Sequence, residues 1–404
     1  MKLTKFDFWF LTAIFIFNLL LKLPRLNVPS FSYFDESVHF VPAARDYLQG
    51  TFETEPTHPM LGKLLISAGI HLFGDNAWGW RIPEVLIGSI GVIFIYLLAK
   101  SMFGGRFIPV LASIFLTFEF SWFVHSRVGV IEIYAAAFSL AGAFFFWQFL
   151  KTDKKLPLIF TGIFFGLAAA SKWSSLFLLL FIGLYYVWQK RRSFLQSLPK
   201  IILIIATAVI VYLSTFVFYL QKHSLAELFQ LQINMFTFHA SEHPEIVADI
   251  TGRRINKLNY YYSPLTWLFN TFQIYAGSTD GVYSRIITHL YNPALFWGSI
   301  TAIVLSIKRL NKNREKLFLI GSFLVFWVPW LIIPRISYPY YLLSSMPFGI
   351  ILLSKILEEN FERRSFLVVG FTILAVVIFL FYYSILSFLN VPNWYIRILT
   401  GSFL

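Results

Sequence analysis

The sequence predicts an all-α integral membrane protein: a polytopic bundle of about eleven transmembrane helices, with two outer loops carrying interfacial helices. Three observations carry that expectation. Of 404 residues, 57% are hydrophobic and only 13% are charged, against about 25% charged in an ordinary soluble domain. The apolar residues gather in runs close to membrane thickness. The basic residues sit in short clusters between those runs, where orientation signals belong.

The runs occupy 6–23, 80–99, 107–123, 128–150, 156–170, 174–188, 200–220, 291–307, 317–333, 338–357 and 365–389. A perpendicular crossing takes about 20 residues, so the shorter runs require tilt or local thinning. The neighbouring runs 156–170 and 174–188 also suit one re-entrant unit. Lys2 and Lys5 precede the first run as in a signal sequence, but the run is long. No small-residue cleavage site stands before Pro24, so an uncleaved span is expected.

Alternating the sides tests the count. With the N-terminus inside, the inner loops hold Lys100 with Arg106, then Lys151, Lys154 and Lys155, then Lys190, Arg191, Arg192 and Lys200. Lys308, Arg309, Lys312, Arg314 and Lys316 follow, then Arg363 and Arg364. The short outer loops hold one basic residue each, Arg127, Lys172 and Arg335. An even number of spans would invert half of these loops and lose the asymmetry. The whole chain, 1–404, therefore reads as a single polytopic domain. Two long outer segments interrupt it, 24–79 and 221–285. Leu61, Leu64, Leu65, Ala68 and Leu72 in the first have the spacing of a helix lying along the interface.

Composition also excludes. The formal charge of +13 lies in loop clusters, without the aromatic-interleaved basic surface that nucleic acid requires. The absence of Cys removes disulfides, thiolate catalysis and Cys-ligated metals, and is silent about redox compartment.

Ionisable residues near membrane depth are costly and mark candidate sites. The densest group is Phe34-Asp35-Glu36, followed by His58-Pro59-Met60-Leu61-Gly62-Lys63. Ser32-x-x-Asp35 also fits a helix-capping box, with Gly50 ending the helix. Lys63 also fits a snorkelling lysine, and His58-Pro59 a plain turn. Glu119 and Glu132 fall near outer ends of spans, where either can pair with Arg127. His239 and His243 are four apart and share a helical face, but two ligands do not make a metal site, and no metal is expected.

Read in order, Phe34-Asp35-Glu36, Gly50-x-Phe52 and His58-Pro59-x-Leu61-Gly62-Lys63 resemble the first luminal loop of the protein O-mannosyltransferases. The resemblance continues through Arg127-x-x-x-x-Glu132, Ala170-Ser171-Lys172-Trp173 and Ser263-Pro264-x-x-Trp267. It ends with Asn292-Pro293 and Arg335-x-Ser337-Tyr338, with Tyr341 and Pro347. Met60 replaces a proline usual in that family, and Glu132 stands where an aspartate is usual. The pair His239 and His243-Pro244 is spaced more tightly than the resemblance leads one to expect, and no counterpart of the extra luminal sugar-binding-like domain of the eukaryotic enzymes is read in the sequence, so a prokaryotic member is expected.

The resemblance implies a GT-C-type bundle. It implies inverting transfer of a sugar, typically mannose, from a polyprenyl phosphate to Ser/Thr hydroxyls of proteins on the outer face, without a cofactor. Asp35 matches the catalytic aspartate, and Glu36 reads as its partner. A free Asp has a pKa of about 3.9 and would be ionised at neutral pH without tuning. Departure of a lipid phosphate calls for cations rather than an acid. Arg127, Arg335, Lys63 and Lys172 are the candidates, with His58 and Tyr341 beside them, and His239, His243 and Trp267 position acceptor or loop. The membrane would be the cell membrane in a prokaryote and the ER membrane in a eukaryote. Two other readings stand beside this one: a GT-C enzyme moving another lipid-linked sugar, such as an aminopentose, to lipid or glycan, and a transporter. Transporters place ionisable groups at the midplane and often repeat their halves, whereas here they crowd the outer ends and no repeat is visible.

Overall fold

The protein was analysed as a computed structural model that describes residues 2–240, 247–248, 254–255, 264–269, 273–307, 313–333 and 337–400. Helix dominates. The first five helices are α1 (Lys5–Lys22), α2 (Val41–Gln49), α3 (Leu61–Phe73), α4 (Ala77–Phe103) and α5 (Phe107–Thr117). Next come α6 (Phe120–His125), α7 (Glu132–Thr152), α8 (Lys155–Ser171), α9 (Ser175–Gln189), α10 (Phe194–Ser214) and α11 (Leu225–Ala240). The last are α12 (Pro293–Ile307), α13 (Arg314–Leu324), α14 (Pro329–Ile332), α15 (Met346–Leu386) and α16 (Asn393–Thr400).

Every apolar run of the sequence is occupied by helix. Among the described residues, five helical stretches are long and apolar enough to cross a bilayer: Ala77–Phe103, Glu132–Thr152, Leu195–Ser214, Arg314–Ile332 and Arg364–Leu386. Shorter apolar helices include α5, α8, α9 and α12. The run 107–123 is broken between α5 and α6 by Glu119, whose carboxylate caps α6 by accepting from Trp122 N at 2.7 Å. The last two runs form one helix with a kink at Arg364. α8 and α9 pack against each other and against α7 as separate helices.

The centre is α7, packed between α4 and α8, with α10 outside α8 and α12 against α15. Gly162 and Gly166 let α10 approach α8 closely: a Cβ on either would come within 2.6 Å of α10 atoms. Such small residues four apart are how membrane helices gain contact where lipid supplies no hydrophobic drive.

Loop residues sort to the two ends of the bundle. At one end Lys100 pairs with Asp7 at 2.9 Å, Gln148 donates to Ser101 at 2.7 Å and Lys200 meets Asp153 at 2.5 Å. At the other, segment 24–79 meets the chain after α10. His239 Nε2 donates to Thr57 O at 2.8 Å, and Phe34 stacks on Tyr275 at 3.9 Å.

One element differs from the all-helical expectation. Gln273–Thr279 and Tyr283–His289 form an antiparallel hairpin, and Val391–Pro392 pairs with its second strand. The alternation there is short and the turn is Asp280-Gly281, a signal outweighed in the sequence by the surrounding apolar runs.

Candidate active site

The first outer segment is folded around Glu36. Arg81 binds its carboxylate through Nε and Nη2, both at 2.8 Å, and Gly129 N donates to it at 2.8 Å. Tyr33 N adds a fourth bond at 3.2 Å. The same guanidinium collects the carbonyls of Leu26, Pro29 and Phe31. With both oxygens committed and no exposed surface, Glu36 holds the loop in place and is not a reacting group.

Asp35, one residue earlier, is the opposite case. It stands at the N-terminal end of the short helix Glu36–Phe40 and makes no side-chain cap bond, so the capping box read from Ser32 and Asp35 does not form. Its carboxyl has no hydrogen-bond partner among the described residues and is partly open to solvent. Burial, reinforced by the negative charges of Glu132 and Glu55 and offset in part by Lys172, raises its pKa to about 7. The expectation of an untuned aspartate is therefore corrected: this carboxyl titrates near neutrality.

Phe34, before it, has a left-handed backbone with φ of 54°. The register of the hairpin shifts between Ile274 and Ala276, a bulge at Tyr275. That ring lies flat against Phe34 with an interplanar angle of 10°. Bulges re-aim side chains in this way. Tyr275 is fixed from behind by His125. The His125 Nδ1–H donates to Ser121 O at 2.8 Å, so Nε2 accepts from the Tyr275 hydroxyl at 3.1 Å.

A second cluster flanks Asp35. Lys63 is fully buried and donates to Glu55 O at 2.6 Å, Glu55 Oε2 at 3.0 Å and His58 O at 2.7 Å. Its three protons are used, so Lys63 shapes the 55–58 turn and is not placed to bind a phosphate. His58 Nδ1 donates to the Glu55 carboxylate at 2.8 Å, which leaves Nε2 as a lone-pair acceptor. Burial pushes the His58 imidazole down and keeps it neutral, although Glu55 pulls the other way. The Glu55 carboxylate is held well below its usual range, because the charge of Lys63 and the hydrogen bonds from His58 and Thr57 outweigh burial. His239 stacks edge-on against His58 at 5.2 Å and thereby ties α11 to this turn.

Lys172, at the end of α8, meets Glu132 at 2.7 Å and lies over the rings of Tyr341 and Tyr340 at 4.6 and 5.4 Å. Tyr341 in turn touches Trp267, which is completely buried, at 6.1 Å. Glu132 thus pairs with Lys172 and not with Arg127. Arg127 lies elsewhere: Nη2 donates to Pro24 O at 2.8 Å, and the guanidinium rests on Phe123 at 5.0 Å. It lines a small cavity with Tyr33 and Ile287. These contacts tie Arg127 to the first outer segment. Arg335 and His243 lie outside the described residues.

Chemically, the end of the bundle offers a carboxylate poised near neutrality, a lysine on an aromatic platform and an imidazole acceptor. The family model for dolichyl-phosphate-mannose-protein mannosyltransferases matches residues 57–219, which include His58, Lys63, Glu132 and Lys172. A polyprenol-phosphate-mannose–protein mannosyltransferase of Corynebacterium glutamicum is 24% identical over 97% of this chain and 92% of its own. The chain is thus similar to the protein O-mannosyltransferases over nearly its whole length.

Its Mycobacterium tuberculosis relative of the same name is 22% identical over 89% of this chain and 84% of its own. The Saccharomyces cerevisiae Pmt1-Pmt2 complex bound to the sugar donor superposes with a TM-score of 0.81 at 13% identity, over 96% of this chain and 91% of that one. ArnT from Cupriavidus metallidurans bound to undecaprenyl phosphate gives 0.64 at 14% identity, over 91% and 63%. These likenesses give the fold, that of GT-C membrane glycosyltransferases.

The sequence reading overlooked Glu55, Arg81 and Tyr275. Arg81 carried a usable signal, a charge just inside an apolar run. Glu55 and Tyr275 carried none, since a loop carboxylate and a bulged tyrosine have no periodicity.

Proposed function

We propose that the protein transfers mannose from a polyprenyl-phosphate mannose to Ser/Thr hydroxyls of proteins, at the outer face of the cell membrane, with Asp35 as base. The observation that carries this reading is the pair of neighbouring carboxylates: Glu36 is saturated by four donors, while Asp35 is unpartnered and titrates at about 7. A general base works best with a pKa near the working pH. Asp35 takes the hydroxyl proton as the acceptor oxygen bonds to the sugar C1. The bond from C1 to the phosphate oxygen breaks on the opposite face, and the lipid phosphate leaves with the electron pair, giving inversion. Lys172 on its Tyr340–Tyr341 platform, and Arg335, are the cations assigned to the departing phosphate. His58 Nε2 accepts from a sugar hydroxyl, and His239 and Trp267 hold the second loop and the platform in register.

The test is purified protein with polyprenyl-phosphate mannose and a Ser/Thr peptide. Wild type should mannosylate the peptide, and Asp35→Asn should fold, bind donor and lose about 10²–10⁴-fold in rate. Near-normal transfer by a folded Asp35→Asn protein would reject Asp35 as base. Transfer only from an aminopentose donor to a lipid or glycan acceptor would replace the substrate assignment.

A further inference from the structure

α9 begins beside Lys172 and Trp173 and runs through Ser175–Gln189, about 22 Å of helix away from the site just described. At its far end the chain turns through Lys190, Arg191 and Arg192 into α10. Arg314, the first residue of α13, comes alongside, and with Trp188 these cations line an open cavity of about 270 Å³. Among the described residues no carboxylate lines it. Glu315 follows Arg314 in α13, and Glu359 is engaged by Lys316 at 3.4 Å. Orientation signals alone explain cations on this side of the bundle, but not four of them converging from two separate chain segments on one hollow. Lys154 and Lys155, exposed in the preceding loop of the same end, do not line it.

A second feature adjoins the cavity. Leu180, Leu184 and Trp188, four residues apart on α9, are 63%, 60% and 45% exposed and form an apolar stripe that leads into it. An amphiphile with an anionic head and acyl chains matches both parts, whereas a free anion matches only the first. We propose that this is a second lipid site, which takes the phosphate headgroup of an anionic membrane lipid, with its chains along the α9 stripe. The site is separate from the transfer chemistry and does not depend on it.

Native mass spectrometry of the purified full chain, titrated with phosphatidylglycerol and with phosphatidylcholine, tests the assignment. Wild type should prefer phosphatidylglycerol by about ten-fold or more, as expected for several cations on one headgroup. The triple variant Arg191→Gln/Arg192→Gln/Arg314→Gln should lose that preference, and the single Arg314→Gln should lose part of it if the triple does not fold. Lys154→Gln/Lys155→Gln should keep it. Equal preference in wild type and the Arg variants, or equal loss in the Lys variant, would overturn the site. Displacement of the lipid by millimolar inorganic phosphate would make it a free-anion site and overturn the lipid assignment.

Discussion

Asp35 and Glu36 are adjacent in sequence and opposite in environment, and the contrast dictates how each should respond to change. With Asp35 as the proposed base, its ionisation should set an acid limb in the pH profile of kcat/KM, with activity rising through about pH 7. Because burial and then Glu132 raise the Asp35 pKa, Glu132→Gln should move that limb to lower pH. A profile unchanged in Glu132→Gln would deny the electrostatic coupling. The same group affects stability. A carboxyl whose folded pKa lies above its ordinary 3.8 binds protons better in the native state, so it weakens the fold as pH climbs from 3.8 to about 7. Asp35→Asn should therefore melt higher than wild type at pH 8 and at about the same temperature at pH 4, by thermal unfolding in detergent. A lower melting temperature at pH 8 would contradict the unpaired, desolvated carboxyl.

At the scale of elements, the hairpin and the small-residue crossing do different work. The hairpin delivers one ring: Tyr275→Phe keeps the stack on Phe34 and should retain most of kcat. Tyr275→Ala removes a stacked aromatic contact worth about 1 kcal/mol and should lower kcat several-fold while donor KM moves little. Equal kinetics in both variants would show that the stack does not position Asp35. The α8–α10 crossing depends on Gly162 and Gly166, because α10 backbone lies where a Cβ would go. Gly162→Leu should push the helices apart and lower the unfolding temperature, whereas Gly183→Leu on α9, where nothing lies within 4 Å, should not. The helices were legible in the sequence because an apolar run states its own length. The hairpin was not, since seven-residue strands among such runs present too little alternation to be heard.

Over the whole molecule, the sequence disclosed the order of elements and the cluster around Asp35, because both are written in local runs and motifs. It did not disclose which cations face that carboxylate. Lys63 and Arg127 looked like phosphate ligands on chain position alone, and only three-dimensional packing commits the first to Glu55 and the second to Pro24. Sidedness remains an expectation open to direct measurement. The cysteine-free chain accepts single cysteines without background. Exposed Glu53→Cys and Asp280→Cys should react with a membrane-impermeant maleimide on intact cells. Lys154→Cys and Arg192→Cys should react only after permeabilisation, and labelling of all four from outside would dismiss the odd-span arrangement.

The partial opening of Asp35 to solvent reaches beyond the single transfer event. With Asp35 as base, every sugar delivered leaves one proton on a carboxyl that holds it comfortably near pH 7, and the next cycle waits until that proton has gone. On that reading its exit is to water on the side where the acceptor arrives. On the proposed outer-face reading, turnover would be geared to the acidity of the surroundings and not to that of the cell interior: an acid medium would stall the resetting of the base.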